Sequence, residues 1–228
     1  MILGHYDLNS PIVFDEGQIN LLVIENPSYL SKIIQEFVSQ NEGKDSGFIL
    51  SEKNKDLPLS ENITVIIDPF TFTPNEHDVL NRLYSHMKND ALDDECYIDT
   101  NIMLSAIETM LERITLRQPM QLKFDNIDLI KIFKLANIHF DMSESLLERI
   151  CDYIAIYTEY RKIKIFVFIN LKSYLTTEEI TQLYTFVQYR KIHILMIESH
   201  QSEVLDREKI RIIDNDLCEI DLGGEKTL

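Results

Sequence analysis

The chain has 228 residues, 45% of them hydrophobic and 26% charged, which is ordinary for a globular protein and long enough to bury a substantial core. With 38 acidic and 22 basic side chains the formal charge is -16, so a uniform surface would repel nucleic acid. No apolar run approaches bilayer length, and Met1–Asp7 carries neither a basic region nor a small-residue cleavage site. A cytoplasmic protein without a membrane span is expected, with Cys96, Cys151 and Cys218 as reduced thiols, since no two are spaced as a Cys-x-x-Cys pair.

The first 70 residues read as strands with one helix. Asn20–Glu25 is a short, nearly continuous apolar run, the pattern of a strand covered on both faces. Pro27 suits a first helical turn, and Leu30, Ile33, Ile34, Phe37 and Val38 then recur at helical spacing. The polar stretch from Asn41 to Gly47 is a loop, and Ile63–Ile67 is a second buried-strand candidate closed by Asp68-Pro69.

From about Pro74 to Tyr160 the period is helical. Ile98, Ile102, Met103, Ala106, Ile107, Met110, Leu111 and Ile114 form one stripe, and Pro119 bars continuation. Asp125 or Asn126 can cap a shorter helix through Leu135. Ser143 can cap another, with Leu146, Leu147, Ile150, Cys151, Ile154 and Tyr157 on its apolar side. These helices are expected to pack on one another.

The pattern then returns to α/β. Ile163–Ile169 and Ile192–Ile197 are strand-like, and between them Thr176-Thr177-Glu178-Glu179 places a capping box ahead of Ile180, Leu183, Tyr184 and Val187. Strand, helix, strand is a βαβ unit, whose crossover is right-handed in about 98% of cases. Short strands near Ile210–Ile213 and Leu217–Asp221 finish an edge, and 223–228 reads as a flexible tail. The expected architecture is an α/β head (1–70 and 161–222) with a mainly parallel sheet, and an all-helical lobe (71–160) inserted between its halves. Charge is uneven along the chain. Residues 161–191 carry six basic side chains against two acidic ones, and residues 71–112 carry two against nine.

The strand-to-helix turn after Ile24 is where a phosphate loop, Gly-x-x-x-x-Gly-Lys-Ser/Thr, would sit. The chain has Glu25-Asn26-Pro27-Ser28-Tyr29-Leu30-Ser31-Lys32 there, with no glycine to let amides converge and with Glu25 to repel an anion. The strand ending at Ile169 closes on Asn170 in place of a metal-holding carboxylate. Nucleotide hydrolysis is therefore not expected, nor is a bound nucleotide. There is no serine nucleophile elbow and no paired Cys/His spacing for zinc. His193, inside an apolar strand, reads as a core histidine, and the acidic run Asp90, Asp93, Asp94, Glu95, Asp99 as a solvated helix start.

Ser10-Pro11-Ile12-Val13-Phe14, Leu21-Leu22-Val23-Ile24-Glu25 and Leu30-Ser31-Lys32-Ile33-Ile34 resemble the N-terminus of the subtype II-A CRISPR adaptation accessory family. Lys164-Ile165-Phe166-Val167-Phe168-Ile169-Asn170, Tyr174-Leu175-Thr176-x-Glu178-Glu179 and Ile192-His193-Ile194-Leu195-Met196-Ile197-Glu198 are similar to its later blocks, so the resemblance spans nearly the whole chain. It implies a non-catalytic protein with a head related to P-loop folds but lacking the phosphate loop. It also implies a ring-shaped homotetramer around a basic channel that binds the ends of double-stranded DNA without sequence preference, beside the CRISPR integrase and the RNA-guided effector nuclease. By position, Lys32, Lys53 and Lys55 are the implied DNA-binding residues.

The resemblance further implies calcium on a carboxylate-rich stretch, here Asp125 and Asp128. Gln121, Lys123 and Lys131 stand where relatives commonly carry carboxylates, and a helix cap with a first-turn acid explains the two aspartates equally well. Two other readings remain: an acidic protein-interaction scaffold without DNA binding, and a nucleotide-dependent enzyme with an unrecognised loop.

Overall fold

The computed structural model describes residues 1–44 and 47–222, so the expected tail at 223–228 lies outside the described residues. The chain divides into two compact units, Met1–Thr73 with the described residues from Met142 onward, and Pro74–Asp141.

In the first unit, the described residues form two sheets. The larger has the order β10-β9-β3-β8-β7-β6. Its members are β3 (Ile19–Ile24), β6 (Ile63–Ile66), β7 (Ile165–Ile169), β8 (His193–Glu198), β9 (Glu208–Ile213) and β10 (Glu219–Leu222). All neighbours are parallel except β10, which runs antiparallel on β9 as an edge. The molecule is thus mixed α/β with a mainly parallel sheet. The central strands are mostly apolar because both faces are covered: every residue of β3 and β7 is buried, the polar Asn20 of β3 included.

The smaller, antiparallel sheet has the order β2-β1-β4-β5, with β1 (Ile2–His5), β2 (Ile12–Val13), β4 (Phe48–Glu52) and β5 (Lys55–Leu57). Helix α1 (Pro27–Asn41) presents Ile33 and Phe37 to a core shared by Leu3 and Leu50 of this sheet and by Leu22, Val167 and Leu195 of the parallel one. Alternation along the strands turns Leu21, Phe166 and Met196 to the opposite face. Counting in chain order, α2 (Leu59–Asn62) is a single turn before β6, and α7 (Thr177–Tyr189) carries the buried Ile180, Leu183, Tyr184 and Val187. Its capping box forms as expected, with Thr176 and Glu179 satisfying each other's amides.

Helix α6 (Leu146–Ile156) runs into a π-helical turn over Tyr157–Arg161 and belongs to this first unit, where it packs on α7. The expected lobe boundary at 160 is corrected to Asp141. The physical reason is burial: Ile150 and Ile154 are fully covered, Tyr157 stacks on Tyr153 at 4.0 Å, and Tyr153 meets Phe72 at 4.6 Å. Beneath the loop from Ser199 to Arg207, the Lys172 ammonium lies 2.5 Å from Glu208, with side chains 7% and 0% exposed. Tyr184 donates to the same carboxylate at 2.5 Å, and the Lys172 backbone amide donates to the buried Glu198 at 3.0 Å.

The second unit contains α3 (His77–Ala91), α4 (Tyr97–Thr115) and α5 (Leu129–Leu135). α3 packs on α5 and its following segment: Tyr84 donates to the Ile138 carbonyl at 2.8 Å, and Asn75 makes two bonds to the Phe140 backbone. The α4 stripe does not behave as a packed face. Of α4 only Thr100 is buried, while Ile98, Ile102 and Met110 are 68%, 63% and 51% exposed. A helix with its apolar side in water lacks its partner.

Candidate nucleic-acid interface

The implied DNA-binding lysines fall at two ends of the small sheet. In the β4–β5 hairpin, Glu52 is opposite Lys55, which leaves Lys53-Asn54 as a two-residue turn with φ of 51° and 61°. Positive φ at both positions is the hairpin geometry that matches strand twist. Asparagine accepts it readily, whereas lysine there costs about 1–2 kcal/mol. Lys53 and Lys55 are exposed, and neither makes an ion pair among the described residues. Beside them Glu52 is taken by Lys164 at 3.0 Å, whose hydrogen bond and charge hold the carboxyl below its usual range.

Lys32 is placed elsewhere. β1 and β4 are antiparallel, with His5 opposite Phe48 and Ile2 opposite Ser51, so the two groups sit beyond opposite ends of this pair. The Lys32 ammonium is 2.6 Å from Asp7 and 3.9 Å from Glu36, and lies over the Tyr6 ring at 4.8 Å. The hydrogen bond to Asp7, and a further one to Tyr6, push its pKa up. A phosphate would have to compete with Asp7 for it. No sequence signal marks this, because Asp7 and Lys32 meet only once β1 packs on α1.

In the turn after β3 a side chain caps the leading amides of α1. Asn26 accepts from the amides of Ser28 and Tyr29, both at 3.1 Å, and donates to the Asn215 carbonyl at 3.0 Å. The amides that would cradle an anion are therefore engaged. A cleft of about 580 Å³ opens beside them, lined by Lys32 as well as by Asp7 and Glu219. The Tyr29 phenol there is pushed up to about 12 by burial and then by Asp7. At the end of β7, Asn170 donates its amide to the Ile197 carbonyl and accepts from Ser199, both at 2.8 Å, so it ties β7 to β8. Glu198 is buried, which raises its pKa, and it is held by the Lys172 amide. His193 is half-buried with its ring 5.6 Å from Phe14, and burial lowers its pKa.

Asp128 is the N-cap of α5, accepting from the Ile130 amide at 3.0 Å; the helix begins at Leu129, two or three residues later than capping by Asn126 or Asp125 would start it. Asp125 is exposed in the segment before it. Calcium takes six to eight oxygens. Among the described residues no group of three or more His, Cys, Asp or Glu side chains is placed to hold a metal. Asp93 likewise serves a turn, accepting from the amides of Glu95 and Cys96.

Comparison with known proteins adds the following. Residues 39–217 match the model of a family described as CRISPR-associated protein (Cas_Csn2). The chain is 21% identical over 221 residues to a CRISPR-associated protein Csn2 of Streptococcus agalactiae, covering 91% of this chain and 96% of that one. It is 22% identical over 195 residues to a Csn2 of Enterococcus faecalis, covering 84% and 86%. An ATP-binding cassette of an ABC transporter, in its ADP conformation, superposes with a TM-score of 0.49 at 16% identity, covering 99% of this chain and 89% of that one. The fold assignment rests on strand order and direction and not on that superposition.

Proposed function

The chain belongs to the Cas_Csn2 family of CRISPR-associated proteins, and we propose that it binds the ends of double-stranded DNA during spacer acquisition, without sequence preference, as a ring-shaped homotetramer. The observation that carries this reading is the hairpin tip, where Lys53 and Lys55 are exposed and form no ion pair among the described residues, on a chain of charge -16. Ammonium groups so placed meet phosphates and read no bases. Lys32, bound to Asp7, contributes less.

The role is non-catalytic. The strand-to-helix turn where a P-loop would lie is stoppered by Asn26, and we take the head to be a P-loop-type fold that has lost its phosphate site. Self-association is supported by the uncovered apolar side of α4. The protein works in the cytoplasm beside the CRISPR integrase and the RNA-guided effector nuclease; no described helix is long and apolar enough to cross a membrane.

The test compares linear with covalently closed duplex at two salt concentrations. The parent should prefer linear DNA and weaken with salt, and Lys53→Glu/Lys55→Glu should lose most of that affinity while Lys32→Ala keeps it. Indifference of the parent to both forms of DNA would move the function to a protein-interaction scaffold.

A further inference from the structure

A second basic feature lies along the edge where the parallel strands begin. Of the eight non-glycine residues with positive φ among those described, four are basic: Lys53, Lys162, Lys191 and Arg207. Three of these sit at strand entries. Lys162 (φ 60°) precedes β7, Lys191 (φ 55°) precedes β8, and Arg207 (φ 73°) directly precedes β9. Because β7, β8, β3 and β9 are parallel neighbours, their entries share one edge of the sheet.

A left-handed backbone is strained for any residue with a Cβ, and glycine or asparagine is the usual occupant after a helix. Lys162 follows the π-helical turn and Lys191 follows α7. Their charge is not needed at those helix ends, because Arg161 and Arg190 already stand there, and Arg207 follows no helix. The local fold would be better served by glycine at all three, so the retained side chains point to a use outside it.

Their counterions are loose. Lys162 is 3.5 Å from Glu159 and Lys191 is 3.8 Å from Glu16, and both pairs are well exposed. Arg207 touches only the neutral Gln188 side chain among its side-chain partners. Exposed pairs of this kind contribute little and yield to a stronger anion. Lys164, between Lys162 and β7, carries the edge across Glu52 to the hairpin of Lys53 and Lys55.

We propose that Lys162, Lys191 and Arg207 form a phosphate track along the strand-entry edge of the head, continuous with the β4–β5 hairpin, that grips the backbone of duplex DNA. Four adjacent strand entries span about 14 Å at 4.8 Å per strand, a length over which one DNA strand presents about four phosphates. The inference rests on the DNA-binding reading and deepens it, because it assigns the contact to residues outside the hairpin.

The test is the triple variant Lys162→Gly/Lys191→Gly/Arg207→Gly in the full chain, with a linear duplex of about 30 base pairs as probe. The expected result pairs two readouts. Thermal stability holds or rises, because strain is released, while binding weakens at low salt and the slope of log K against log salt loses about 2.7, roughly 0.9 per phosphate. A triple variant that binds with the parent's affinity and slope overturns the track and leaves the DNA-binding reading standing. A lowered unfolding midpoint also overturns it, since the side chains would then serve the fold. A parent that binds no duplex at low salt sinks the DNA-binding reading, and the track with it.

Discussion

Lys172 shows how much a single side chain can carry in this molecule. Its ammonium and the Glu208 carboxylate are both out of solvent, and Tyr184 donates to the same oxygen, so each charge depends on the other. Burial and then the neighbouring Glu208 charge hold the Tyr184 phenol far above its ordinary range, which keeps it a donor. Lys172→Met leaves Glu208 buried without its partner and should cost about 3–5 kcal/mol in denaturant unfolding. Lys172→Met/Glu208→Leu should recover a large part of that loss, because no lone charge remains. Equal losses in the single and double variants would show that packing, and not charge, holds the Ser199–Arg207 loop. Gly47 is constrained more simply: a Cβ there would come within 2.2 Å of the Tyr6 ring and 2.5 Å of His5 Nε2, so no other residue fits unless those side chains shift.

Between elements, one carboxylate of α1 takes two side chains from the end of β1. Glu36 takes His5 Nε2 at 2.5 Å and the Tyr6 hydroxyl at 2.8 Å. His5 Nδ1 accepts from the Asp7 amide, so Nε2 is the ring nitrogen that donates to Glu36. Burial pushes Glu36 up, but the hydrogen bonds from His5 and Tyr6 outweigh it and its pKa is lowered. A carboxyl lowered on folding adds stability above its unfolded pKa of about 4.3, and that stability is lost as pH falls through the lower folded value. Unfolding midpoints measured from pH 7 downward should therefore drop below about pH 4.5, and less steeply in Glu36→Gln, which should also cost about 1.5–3 kcal/mol at neutral pH. Parallel pH profiles for parent and variant would show that this clasp does not link the two elements.

For the whole molecule, α4 is where the proposed self-association can be tested. Its stripe follows the period of a packed helix, yet Ile98, Ile102 and Met110 stay in water. Ile102→Glu/Met110→Glu should leave the helix content intact and shift the mass in light scattering from an oligomer toward the monomer of 26.8 kDa. An unchanged oligomer would remove α4 from the interface. Charge is arranged on the same scale. Excess carboxylate falls in residues 71–112, and the excess lysine and arginine of 161–191 is carried largely at the strand entries of the head. A net charge of -16 is thus compatible with a local basic face.

The sequence by itself determined the elements whose signals are local. β3, β6 and β8 begin and end within about a residue of their apolar runs, β7 starts two residues inside its run, and α7 starts at its capping box. The lack of a glycine-rich motif after β3 is equally legible, because glycines are either present in a turn or not. The tertiary structure decided everything that depends on residues far apart in the chain. β1, β2 and β5 are two to four residues long and carry no period of their own; with β4 they exist through pairing. The helical period of α6 shows an apolar side but not what covers it, so its place in the head had to be seen. Lys32 and Lys53 look alike in sequence, and only the packing of the β1 end on α1 gives Lys32 an ion pair, while Lys53 makes none among the described residues. Local patterns report which backbone a segment adopts; long-range contacts decide which charges it is left with.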